Sequence, residues 1–191
     1  PGDVAVFDSD IVEFGHGLIK AKAIDDRVGC AILVKLLEEE LPMDCTFVFN
    51  VQEEVGTRGA FGSAFSVTPE IAMVLEGTTA ADNPALDEHC QVCWPGKGPV
   101  ISWMDGSAVY DRDLFEMLRD LADQNNVPWQ MKHYLAGGTD AGSIHVSRMG
   151  VRPGGISVPC RYIHTPVEMT DVVDFKACVD LTVAYATAVL V

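Results

Sequence analysis

Two glutamates stand side by side at Glu53-Glu54, directly after the apolar run Thr46-Phe47-Val48-Phe49-Asn50-Val51 and just before Val55-Gly56-Thr57-Arg58-Gly59. A strand that ends in paired carboxylates and then turns at a glycine delivers both acids to the carboxyl edge of a sheet, where α/β enzymes place their chemistry. Neighbouring Cα atoms are about 3.8 Å apart, yet their side chains diverge. One acid can hold a cation while the other moves a proton. The same pair also suits a solvated acidic loop, the ordinary fate of charged residues.

Three further positions repeat the arrangement. Asp25 follows the run 21–24, Glu76 follows 71–75, and His164 follows 160–163. Strand carboxyl ends converge on one edge of a parallel sheet, so these residues meet Glu53 and Glu54 in one cleft. A carboxylate-rich set with a single histidine suits a pair of divalent metals such as zinc, cobalt or manganese. One carboxylate must then bridge, and a free acid is left for proton transfer. Each member has a plainer reading beside this one. Asp25 makes a good helix N-cap, Glu76 precedes Gly77 as a turn acid would, and His164 can sit exposed or satisfied in a core. The joint pattern carries the weight.

The elements that must position these residues alternate. Residues 4–22 read as strand-like, broken by Asp8-Ser9-Asp10 and Gly15-His16-Gly17. An amphipathic helix is predicted over 26–40 and closed by Pro42, followed by the strand 46–51, a helix over 58–65 and the strand 71–75. Residues 77–98 are rich in turn signals. A short strand at 99–103, a helix over 111–125, a strand at 129–134, a short helix over 140–148, a strand at 155–158 and a helix over 171–190 complete the pattern. It predicts an α/β layered fold, a mainly parallel mixed sheet covered by helices on both faces.

Composition removes several function classes. The 191 residues suffice for one domain, and 28 acids against 13 bases give a net charge of −15, which disfavours nucleic acid and anionic membrane. No apolar run approaches the roughly 20 residues of a membrane span; Val179–Val191 is shorter and reads as a buried helix. Cys90 and Cys93 form a lone C-x-x-C without a second pair, and Trp94-Pro95-Gly96 follows where a redox motif would open a helix. These thiols read as structural or incidental. With no signal peptide visible, the setting implied is reducing and cytoplasmic.

Four ordered segments carry a resemblance. They are Lys22-Ala23-Ile24-Asp25-Asp26-Arg27-Val28-Gly29, Gln52-Glu53-Glu54-Val55-Gly56, Gly137-Gly138-Thr139-Asp140-Ala141-Gly142, and the run from Val158 through His164 to Glu168. Nearly end to end, the chain resembles the catalytic domain of the dinuclear-metal aminopeptidases that include glutamyl aminopeptidase and the tetrahedral, self-compartmentalising aminopeptidases. The resemblance implies that Asp25 bridges two metals, Glu54 and His164 bind one, Glu76 binds the other, and Glu53 is the general base. It also implies peptide substrates and, for the full-length protein, dimers assembling to a dodecamer.

The resemblance is incomplete in two places. Many members carry aspartate where Glu76 stands, and a further histidine ligand of the family lies in an N-terminal segment that nothing here matches. Residues 1–20 look like the return from an inserted β domain and 21–191 like the catalytic domain, so the chain reads as a C-terminal portion with impaired metal binding. His16, His89, His133 and His145 fall outside the matching positions. Asp140 is expected to cap the helix that follows it, and Arg161 and Arg27 to pair with nearby carboxylates. Two other readings stay open: a glycosidase built on Glu53 and a partner acid, and a metal-binding or scaffold domain without turnover.

Overall fold

The strand Ile71–Thr79 shows how the layers are built, because its alternate side chains enter different cores. Ile71, Met73 and Leu75 pack with Ile32, Leu118, Ile156 and Leu181, while Ala72 and Val74 pack with Ala60, Ala64, Ile144 and Val151. Period-two alternation on a strand and two apolar sets demand helices on both faces. In this computed structural model, which describes residues 1–188, that is what forms.

The strands are β1 (Val12–Phe14), β2 (Leu18–Ala21), β3 (Ile71–Thr79), β4 (Val100–Ile101), β5 (Arg152–Arg161) and β6 (Glu168–Asp171). They pair in the order β1-β2-β6-β5-β3, with β4 also on β5. The helices are α1 (Ile24–Leu37), α2 (Arg58–Val67), α3 (Arg112–Gln124), α4 (Ala141–Ile144) and α5 (Val172–Ala188). Helices α1, α3 and α5 cover one face of β3 and β5, and α2 and α4 cover the other face of β3. Strand β5 is buried along nearly its whole length, as a central strand covered on both sides must be.

The mixed α/β sheet agrees with the sequence reading, but its balance is different. Only β3 and β5 run parallel among the paired strands; β1·β2, β2·β6, β4·β5 and β5·β6 are antiparallel. Residues 46–51 form no strand, because no backbone ladder reaches them. Residues 129–134 contribute a single bridge at Gln130. Residues 1–11 carry no regular element, so the strand-like reading of 4–22 holds only from Val12 onward, in β1 and β2. Strand β6 is an addition, and the last two residues of the predicted helix over 171–190 lie outside the described residues. No helix among the described residues is long and apolar enough to cross a membrane.

Helix α3 illustrates the local logic. Leu114, Phe115, Leu118 and Ala122 form its buried stripe, and Asp111 caps it by accepting from the Leu114 N–H at 3.1 Å. Arg152 at the start of β5 also donates to both Asp111 oxygens, at 2.7 and 2.8 Å. That guanidinium holds the Asp111 carboxyl below the usual carboxylate range. A depressed folded-state value means that the contribution is present above the unfolded value and is lost as pH falls through the folded one. Asp111→Ala is expected to cost about 1–2 kcal/mol, mostly from the lost cap since the ion pair is solvent-screened. Urea denaturation at pH 7 measures it, and the difference from wild type should shrink in acid.

Candidate active site and metal centre

Helix α1 packs closely on β3 through Gly29, where an added Cβ would collide with the Leu75 carbonyl oxygen. Gly77 plays the reciprocal part, since a Cβ there would stand 3.0 Å from that of Asp25. The two glycines let the start of α1 lie against the carboxyl end of β3, beside Glu76. Asp25 and Asp26 themselves have non-helical backbone angles, and their shared peptide is cis. The capping role considered for Asp25 falls to its neighbour: Asp26 Oδ1 accepts from the Gly29 N–H at 3.0 Å and from the Gly77 N–H at 3.0 Å. The Asp25 side chain is thereby left to face the cleft.

Three of the expected ligands converge. His164 Nε2 lies 3.1 Å from Glu54 Oε2 and 3.6 Å from Asp25 Oδ2. One donor atom from each of Asp25, Glu54 and His164 lies within 4.8 Å of the others, a spacing that one cation can span. Two carboxylates and an imidazole are a fitting donor set for zinc or a related ion. The Asp25 side chain is 14% exposed, against 54% for Glu54 and 64% for His164. Glu76 is not in this triple; it lines a cavity of about 770 Å³ with Asp25, Glu53, Glu54 and Asp140.

The electrostatics are those of acids gathered without enough positive charge. Burial, then the charges of Glu54 and Glu168, push the Asp25 carboxyl up to about 7, with His164 opposing. Glu76 is raised well above its usual value by burial, against the pull of Lys132, with Asp26, Asp25 and Glu53 adding to the rise. Glu53 is raised by burial first, then by Asp140 and Glu54. A divalent cation among them would offset this repulsion.

Asp140 does not cap α4: its side chain makes no capping hydrogen bond. Its Oδ2 instead accepts from Asn50 Nδ2 at 2.8 Å, and Asn50 Oδ1 accepts from the Ser63 hydroxyl at 2.8 Å. Asp140 therefore secures the segment that leads to Glu53-Glu54. Arg161 pairs with Asp82, its Nε donating at 2.9 and 3.1 Å, as expected. Arg27 makes no ion pair among the described residues. All six cysteines are free; Cys93, Cys160 and Cys178 are buried, and Cys30, Cys45 and Cys90 are exposed. His133 packs edge-on against Trp94 and His145 Nδ1 contacts the Ala141 carbonyl, so neither joins the cluster.

A layered α/β domain in which two carboxylates and a histidine from separate segments converge defines a class, the α/β domains with a candidate metal-binding cleft. The comparison with known families is more specific. The model of the M42 glutamyl aminopeptidases matches residues 1–181, and the chain belongs to that family. It is 42% identical over 184 residues to a provisionally named aminopeptidase of Acetivibrio thermocellus, covering 95% of this chain and 55% of that protein. An aminopeptidase from the archaeon Desulfurococcus kamchatkensis superposes with a TM-score of 0.92 at 36% identity, covering 96% of this chain and 52% of the other. The Pyrococcus horikoshii TET1 peptidase, which can assemble into a tetrahedron or a large octahedral shell, superposes with a TM-score of 0.83 at 30% identity over 96% of this chain and 54% of its own. The chain thus spans about half the length of these relatives.

Proposed function

We propose that this chain carries the reacting face of an aminopeptidase that removes N-terminal residues from peptides. The observation that carries the reading is the approach of His164 to Glu54 and Asp25, in a chain of this family, with Glu53 adjoining. Asp25, the least exposed of the three, would be shared by two divalent cations; Glu54 and His164 would help to hold one of them and Glu76 the other. A bound divalent cation supplies Lewis acidity to the peptide carbonyl and to the attacking water. Glu53 takes the proton of that water and returns it to the leaving amine. Asp140, held through Asn50, keeps the Glu53 segment in place. Residues 1–20 belong to a returning β insertion, residues 21–191 to the peptidase domain, and the protein assembles with copies of itself as the TET1 relative does.

A glycosidase built on Glu53 and a partner acid leaves the Asp25–His164 approach without a role. A domain that holds metal without turnover has one observation in its favour. Beyond the convergent triple, the second cation finds Asp25 and Glu76 among the described residues, below the usual three protein ligands of a catalytic zinc. The test is an aminopeptidase assay on this 191-residue chain with added zinc, cobalt or manganese, beside a longer form of the protein. The chain alone is expected to hydrolyse aminoacyl substrates weakly or not at all, and the longer form to be active. Full activity in the short chain would show that the second site is complete within it. Inactivity of both forms would leave the metal-holding domain as the better reading.

A further inference from the structure

Glu168, the first residue of β6, is 2% exposed and commits both carboxylate oxygens to backbone. Its Oε2 accepts from the Asp25 N–H at 2.9 Å, and its Oε1 accepts from the His164 N–H at 2.9 Å. Neither amide has a backbone acceptor among the described residues. The two residues so joined are those whose side chains approach to 3.6 Å in the cleft. His164 also has φ of 64°, a left-handed conformation that a residue with a side chain keeps only when its surroundings impose it. The bond from its N–H to Glu168 is such an imposition.

The charge is informative as well. A buried carboxylate whose charge faces Asp25 is repulsive, and two carbonyl oxygens would have satisfied the same amides without that cost. A carboxylate is advantageous here once a cation faces it.

We infer that Glu168 is a positioning residue: by bridging the amides of Asp25 and His164 it sets the separation of these two side chains, and with it the strength and geometry of their hold on a divalent cation. This rests on the cation reading given above. The fold supplies its own control. Asp174 on α5 likewise accepts two backbone hydrogen bonds, from the Gly96 and Gly98 N–H groups at 2.6 and 2.7 Å, and is 0% exposed. The loop it secures carries none of the site residues.

The experiment compares wild type with Glu168→Gln, Glu168→Asp and Asp174→Asn in the 191-residue chain. Zinc affinity is read by chelator competition, site geometry by the visible spectrum of the cobalt-loaded protein, folding by thermal melting, and the bridge by the ¹⁵N amide signals of residues 25 and 164. Glutamine keeps the length but turns an NH₂ toward one of the two amides; aspartate keeps both acceptors but cannot reach both. Both changes at Glu168 are expected to weaken zinc binding about 10- to 100-fold and to alter the cobalt spectrum. Asp174→Asn is expected to lower the melting temperature with zinc affinity within about twofold of wild type, as the loss of a remote support should. Zinc affinity within about threefold of wild type in Glu168→Gln, with an unchanged cobalt spectrum, overturns the inference, since supporting partners ordinarily count for tenfold or more. An equal loss of affinity in Asp174→Asn overturns it too, by showing a general effect of loosening the fold. If wild type binds neither ion in the 191-residue chain and in the longer form alike, the cation reading is what fails. The amides of 25 and 164 then judge the bridge: displaced in Glu168→Gln they sustain it, unmoved they refute it.

Discussion

Replacing Glu53 by glutamine is expected to lower kcat at least about 100-fold in the form of the protein that hydrolyses aminoacyl substrates, with metal content unchanged. The expectation follows from position. Glu53 adjoins Glu54 yet stands outside the convergent triple, so its loss removes no donor from that site. It is partly buried, and its carboxyl is raised by that burial and by the nearby charges of Asp140 and Glu54. A carboxylate with a raised pKa is a better proton acceptor near neutrality than an exposed one. Glutamine keeps the shape and cannot take the proton. Turnover is measured by steady-state kinetics and bound metal by elemental analysis. A fall of less than about tenfold would remove Glu53 from the role, given the factors that general bases ordinarily supply.

The second large effect is expected at Asp25. Its carboxylate stands nearest the centre of the acid cluster, facing Glu54 and His164 and contributing to the rise of Glu76. A residue shared by two cations lends charge to both, so Asp25→Ala should empty both sites, whereas His164→Ala should weaken mainly the one it shares with Glu54. Elemental analysis of the two variants after dialysis against limiting zinc decides between them. Full occupancy in Asp25→Ala would mean that Asp25 matters for its N–H, which Glu168 holds, and not for its carboxylate.

What could be read from the sequence was what local pattern controls. Helix α1 was legible because apolar residues recur at helical spacing and Pro42 follows, α3 because Leu114, Phe115, Leu118 and Ala122 fall on one face, and α5 because its stretch is long and apolar. Three of the candidate ligands were legible because each acid or histidine follows an apolar run, and they do converge in space. What was not legible depends on distant partners. Residues 46–51 have the composition of a strand, but a strand exists only beside a neighbour, and none reaches them here. Strand β6 was missed because its four residues have no marked alternation; it forms by pairing with β2, Ala21 against Glu168. Glu168 closes one of the family-like segments, but local pattern gives it no task, since its partners are the amides of Asp25 and His164. Asp140 drew the commonest job of an aspartate before a helix, and only the fold shows Asn50 waiting for it.

The arrangement of bonds around the cleft also has a mechanical meaning. Asp25 and His164 are fastened together through Glu168, and Gly77, next to Glu76, is fastened to Asp26. Glu53 and Glu54 are fastened elsewhere: the Glu53 carbonyl accepts from the Gly56 and Thr57 N–H groups, Thr57 meets Ser143, and Asn50 reaches Asp140. A seam therefore runs through the cleft, crossed directly by the Glu54–His164 contact. An ion seated there, as proposed above, would work as a rivet. Its binding free energy becomes cohesion between the two sides and raises stability in proportion to the logarithm of its concentration above the dissociation constant. On the reading proposed above, taking the ion away would do more than remove a Lewis acid: it would loosen the segment of Glu53 and Glu54 against the side that carries His164, leaving the packing of α2 and α4 on β3 to join them.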